Sequence, residues 1–103
     1  MRPLLFLHIP KCMKFLAPEP KRSANIAKHG FDPADFEEAF SFDDYLTIPT
    51  HPSRTGRERL KLIGTWFDEV VVVVIVSPLG SEATDVVSVR RADRRERARY
   101  AEP

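Results

Sequence analysis

Arg57, Arg59 and Lys61 occupy alternate positions between Gly56 and Gly64, and in an extended chain they share one face with Ile63. Three cations on one strand face are hard to bury, so that face is solvated or turned towards an anion. Arg90 closes a second alternating stretch, from Ala83, and can join them from a further strand. His29 ends a short helical segment, and Tyr100 follows the arginines at positions 94, 95, 97 and 99. Such a set can bind an RNA backbone, neutralise a pentacovalent phosphate and move protons without a metal. RNA supplies its own nucleophile, the 2′-hydroxyl. The protein then needs only a base, an acid and charge stabilisation.

Each of these residues also has a plainer role. His29 can hydrogen-bond the last carbonyls of its helix and favour the helix dipole. Arg59 and Lys61 can be ordinary solvated strand residues. Arg90 can form an ion pair at the edge of the core, with Asp44 or Asp85 as partner. The terminal arginines fit a solvated or partner-facing helix surface, and Tyr100 fits packing with a wet hydroxyl.

The totals allow one domain of 103 residues. Sixteen basic and fifteen acidic residues nearly cancel, but they are segregated along the chain. Positions 1–30 hold six basic residues and only Glu19 as an acid; positions 31–50 hold six acids and no Lys or Arg. A folded chain with this layout can gather a basic face without a high overall pI, which permits phosphate binding. Cys12 is the only cysteine, so no internal disulfide can form. His8, His29 and His51 are scattered without ligand spacing, and no glycine loop or nucleophile elbow is present. No metal or other cofactor is expected. The apolar start, Met1 to Pro10, is short, is broken by His8 and Pro10 and lacks a small-residue cleavage site. Export and membrane association are therefore rejected in favour of the cytoplasm.

The elements that must position the cations are organised around Val70 to Val76, seven consecutive apolar residues. β-branched side chains suit a pleated sheet, and an unbroken apolar run implies cover on both faces. This predicts a central strand, whose burial contributes on the order of 10 kcal/mol as an upper bound. Before it, Phe15 to Ala17 predict a short strand, and Pro20 opens a helix through Lys28 that Gly30 stops. Asp32 and Pro33 begin a second helix with Phe36, Ala39 and Phe40 on one face, and Phe31 is placed to staple onto Phe36. Strands follow at Tyr45 to Ile48, Arg57 to Thr65, Val70 to Val76 and Ala83 to Arg90. In the last, Val86 is expected to share a face with Ser88 and Arg90. Asp93-Arg-Arg-Glu96 reads as a capping box that opens an Arg-rich helix to about Tyr100. The class is α+β, an antiparallel meander with helices on it and residual apolar exposure beside the basic groups. Residues 1–12 read as a separate piece.

Several segments, in this order and spacing, resemble the BrnT family, toxins of bacterial type II toxin–antitoxin systems related to the RelE-like ribonucleases. They are Met13-Lys-Phe15, Lys21 to Asn25, Ala27-Lys-His-Gly30, Phe36-Glu-Glu-Ala39, Gly56-Arg-Glu-Arg59, Ile63-Gly64 and the valine strand. Val87-Ser-Val-Arg-Arg-Ala92, Arg94-Arg-Glu-Arg97 and Tyr100 complete the set. The resemblance covers about residues 13–102. It departs at Leu16-Ala-Pro18, where the family usually has an acidic residue followed by Trp-Asp, and Asp32-Pro-Ala-Asp35 looks longer than the usual link between helices. Residues 1–12 have no counterpart, so Met13 is expected to be the native start and 13–103 the domain.

The resemblance implies a RelE-like sheet with two N-terminal helices packed on it and a C-terminal Arg-rich helix. It implies an endoribonuclease that blocks translation and is neutralised by an antitoxin with a ribbon-helix-helix-type DNA-binding part. Operator DNA would be reached only through that antitoxin. Position by position, His29, Arg59, Arg90 and Tyr100 match recurrent polar positions and are the catalytic candidates, Arg59 and Arg90 to hold the scissile phosphate and His29 or Tyr100 to move protons, with Lys28 and Arg94 as weaker candidates beside Arg57 and Lys61 for RNA binding. The rival readings are a non-catalytic nucleic-acid-binding module and an inactive relic that binds only the antitoxin.

Overall fold

The computed structural model describes residues 13–50 and 56–102. The elements run β1 (Lys14–Leu16), α1 (Lys21–His29), a 3-10 turn (Pro33–Asp35) leading into α2 (Phe36–Ala39), β2 (Leu46–Pro49), β3 (Leu60–Trp66), β4 (Val70–Pro78), β5 (Ala83–Arg91) and α3 (Arg94–Ala101). The expected separate piece at 1–12 and part of the loop before β3 lie outside the described residues.

The valine run is the middle of a five-stranded sheet ordered β1-β5-β4-β3-β2. Its alternation serves two layers. Val72, Val74 and Val76 pack with Phe36, Phe40, Leu62 and Trp66 on one face, beneath α2. Val73 packs with Ile63 and Ala92 on the other, where Tyr100 of α3 covers part of the sheet. Leu46, Ile48, Val71 and Ile75 stay half-buried on that second face, the apolar exposure predicted there.

The β2–β5 portion is the predicted antiparallel meander, but β1 joins β5 in parallel, so the sheet is mixed. The chain leaves β1 for α1 and returns to its neighbour only after three other strands, a route a hairpin reading does not anticipate. β3 starts at Leu60, leaving Arg57 and Arg59 ahead of the ladder. Gly64 lies against the Phe40 ring, where an added Cβ would approach Cζ to 2.7 Å, so glycine is required for that packing.

α1 ends as predicted, with Gly30 at φ 81° and its N–H donating to the Ile26 carbonyl at 2.8 Å. Its buried residue is polar. Asn25 Nδ2 donates to the Val89 and Phe31 carbonyls at 3.0 and 2.8 Å, and Oδ1 accepts from the Val89 N–H at 3.0 Å. β1 pairs only residues 83–85 of β5, so Val89 presents bare backbone groups at the sheet edge, and the carboxamide supplies the missing partners. Asp32 caps the next turn through the Ala34 N–H, at 2.9 Å, and is clamped by Arg22 at 2.7 and 2.8 Å. The expected staple differs. Phe31 sets its ring edge-on to Trp66 at 5.9 Å, while Phe36 stacks on Phe40 and meets Phe15 and Phe42.

Candidate active site

The face of the sheet opposite the phenylalanine layer is a grid. Ile48, Lys61, Ile75 and Ser88 align across β2–β5 in one row, and Leu46, Ile63, Val73 and Arg90 in the next. Direct cross-strand partners point to the same side, so Lys61 and Arg90 emerge together on either side of β4. A β-bulge makes this possible. The register shifts between Ile75 and Val76, which pair with Ser88 and Val86, so Val87 is the extra residue. Val86 therefore enters the phenylalanine core together with Val89, not the face of Ser88 and Arg90 as strict alternation predicts.

α3 lies across this grid and is held by its own first turn. The Asp93 carboxylate accepts from the Glu96 N–H, and Glu96 accepts from the Asp93 N–H, each at 2.8 Å. This is the predicted capping box. Glu96 does more than cap. Its oxygens accept Arg90 Nη1 and Nη2 in a fork, both at 2.8 Å, and Lys61 Nζ stands 2.6 Å from Oε2. The glutamate is 8% exposed, so one carboxylate with four donors gathers two cations at the rim of the core.

The hydrogen bonds from Arg90 hold the Glu96 carboxyl well below the usual carboxylate range, helped by the Asp93 N–H and Lys61 and opposed by burial. The same contact raises Arg90. Glu96 is therefore an anion at neutral pH and a poor proton acceptor. Its chemical role is to position Lys61 and Arg90, and the trio retains a net charge of +1. Lone cations at this spacing would repel one another; the shared carboxylate fixes them side by side.

Arg59 precedes Lys61 by two residues and is half-buried, and its Nε is buried without a hydrogen-bond partner among the described residues. Arg57 instead donates to Asp85 at 3.0 Å. Arg90 is thus neither of the two expected ion pairs: Asp85 takes Arg57, and Asp44 takes the Tyr100 hydroxyl through its carbonyl at 3.1 Å and its carboxylate at 3.3 Å. Tyr100 lies on the same sheet face as Lys61 and Arg90, packed against the Ile63–Val73 cluster. His29 is half-buried at the end of α1, and no hydrogen bond or ion pair among the described residues joins it to Arg90, Lys61 or Glu96. Lys28 and Arg94 are exposed on α1 and in the first turn of α3.

Sequence reasoning missed the organising glutamate and the asparagine plug. Glu96 carried a visible signal as the fourth residue of the capping box, six residues after Arg90. Asn25 carried none beyond being polar in a helix with little apolar content. Among the described residues no three His, Cys, Asp or Glu side chains converge to hold a metal ion, and no helix is long and apolar enough to cross a membrane.

No curated protein sequence compared with the chain matches it. A crystal structure of the Brucella abortus ribonuclease toxin BrnT is similar, with 42% identity and a TM-score of 0.65, covering 80% of this chain and 99% of the Brucella chain. The family model described as the ribonuclease toxin BrnT of type II toxin–antitoxin systems matches residues 18–96, from the approach to α1 through Glu96 itself. The chain belongs to the BrnT family of ribonuclease toxins.

Proposed function

We propose that this chain is an active endoribonuclease that cuts RNA without a metal, inhibits translation in the cytoplasm and is neutralised by an antitoxin with a ribbon-helix-helix-type DNA-binding part. The observation that carries the reading is the junction of Lys61 and Arg90 on Glu96, on the sheet face that α3 only partly covers, with Arg59 two residues before Lys61. A phosphodiester there meets a guanidinium and an ammonium already fixed in place. The 2′-oxygen attacks phosphorus, the bond to the 5′-oxygen breaks, and a 2′,3′-cyclic phosphate and a 5′-hydroxyl form. Arg90 and Lys61 offset the charge that builds on the phosphoryl oxygens. Two protons move, one from the 2′-hydroxyl and one to the 5′-oxygen. Tyr100 is the better placed carrier, since it shares this face and its hydroxyl is oriented by Asp44; His29 stands on α1, away from the grid. Arg59, Arg57, Lys28 and Arg94 extend the contact with the RNA backbone.

The test is purified full-length protein incubated with RNA in excess chelator. Cleavage that persists, leaves cyclic phosphate ends and falls steeply in Arg90→Ala is the expected result. Intact RNA with the folded wild type, or cleavage only on adding a divalent ion, overturns it. One observation favours a second reading. Glu96 already engages both cations, as a purely structural ion cluster would, and an inactive relic that only binds antitoxin would then show complex formation without RNA cleavage.

A further inference from the structure

The turn between β3 and β4 takes no part in the cation cluster, yet it holds an unusual residue. Phe67 stands at its tip, 50% exposed, with a φ of 51°, and Asp68 follows at 56°. These are the positive values of a type I′ hairpin, normally supplied by Asn or Gly. A bulky side chain rarely adopts them, because its Cβ crowds the following carbonyl. The ring meets Trp66 edge-on at 6.3 Å and half of the residue stays in water, so its burial in the fold repays that crowding only in part.

The ring separates two open grooves. One offers about 450 Å³ and is floored by Phe31, Trp66 and Val70, with Ile26, itself 38% exposed, on its wall. Asp35 and Glu69 stand on its rim. The second, about 490 Å³, runs past Phe42 between Glu38, Asp43 and Asp68. Asp32 is neutralised by Arg22, but these five other carboxylates make no ion pair among the described residues. An exposed aromatic anchor ringed by anions that pair with no described cation has the features of a recognition surface for a cationic partner. RNA is repelled by it.

We infer that this surface is the docking site of the antitoxin, through a segment that presents an apolar or aromatic anchor flanked by Lys or Arg. The inference rests on the toxin–antitoxin reading above and adds where and by what chemistry the partner is held. A second copy of this chain fits less well. Its Arg-rich α3 has the right charge, but the exposed side carries Arg94, Arg95, Arg97 and Arg99 with only Ala98 and Ala101 as apolar groups, while Tyr100 is packed on its own sheet. The grooves belong to the phenylalanine side of the sheet, so a segment seated there leaves the Lys61–Arg90 face free for another part of the same partner.

The experiment titrates the full chain with its cognate antitoxin, by calorimetry. Phe67→Gly deletes the anchor and suits the positive φ, so its thermal midpoint holds or rises; Asp35→Lys with Glu69→Lys reverses the rim charge. Each is expected to weaken the complex on the order of 30-fold, with RNA cleavage in the absence of antitoxin unchanged. Wild-type affinity in both variants overturns the docking site, as does loss of self-association alone or failure of the wild type to bind. Cleavage read on the same preparations keeps the two ideas apart. A wild type that binds antitoxin but leaves RNA intact defeats the ribonuclease reading and not the docking site.

Discussion

Arg90 and Glu96 meet through two parallel hydrogen bonds of 2.8 Å, a fork-to-fork contact between the end of the last strand and the first turn of the last helix. Planar groups matched this way fix direction as well as distance. The strand thereby receives the helix at one angle, and Lys61 is drawn to the same carboxylate from across β4. What a sum of charges describes as a small basic excess is, in the fold, an oriented pair of donors.

Removing the glutamate charge tests that organisation. In Glu96→Gln the amide oxygen still accepts from the Asp93 N–H, so the cap survives while the ion cluster is lost. Because Arg90 keeps 36% of its side-chain surface in water, the expected loss is limited to about 1–3 kcal/mol at neutral pH. The pH dependence has a definite sign. The folded carboxyl lies below its unfolded value of ~4.3, so in acid the unfolded chain binds a proton the folded one refuses. The contribution is complete above that value and is lost as pH falls through the folded value. Urea unfolding of wild type and variant should show a gap that narrows below pH ~4; a gap independent of pH rules out the ion cluster as its source.

Arg90→Lys and Arg90→Ala separate geometry from charge. Lysine keeps a cation but cannot make the fork, so cleavage should fall by roughly tenfold to a hundredfold, and with alanine by about a hundredfold to a thousandfold. Both variants should fold, since Glu96 retains Lys61 and the Asp93 N–H. Single-turnover cleavage rates, read beside circular dichroism, check the order.

Asn25→Ala unplugs the free edge of β5. Three backbone groups, the Val89 N–H and the Val89 and Phe31 carbonyls, lose their side-chain partner. A destabilisation of about 1–3 kcal/mol is expected, with the Val89 amide losing hydrogen-exchange protection before the amides of β4. Retained protection at Val89 would mean that the plug is dispensable.

Gly64→Ala forces a Cβ to within 2.9 Å of two atoms of the buried Phe40 ring and to 3.2 Å of the Tyr45 Cβ. The ring has no water to swing into, so overpacking should cost about 1–3 kcal/mol. Pairing it with Phe40→Leu should recover part of that loss in thermal melts, because the clash is with the ring and not with backbone.

Wherever one residue's neighbours decide its place, the sequence was readable. The valines of β4, the Phe36–Phe40 face, the Gly30 stop and the Asp93 capping box all rest on short-range periodicity or termination chemistry, and all stand where expected. The misreadings are long-range. A single extra residue at Val87 switched the side on which Val86 points, and alternation carries no mark of a bulge. The parallel seat of β1 and the bare β5 edge that Asn25 serves depend on strands far apart in the chain. Lys61 and Arg90 were visible as cations and Glu96 as the closing member of the capping box, but not as the partner that joins them. Its distinction is burial, which charge pattern does not encode.

Glu96 also ties two parts of the fold together. It is at once the cap that starts α3 and the anion that aligns Lys61 with Arg90, so the last helix cannot fray at its first turn without dispersing the cations. Assembly of the cation pair and winding of the first turn of the final helix are therefore coupled.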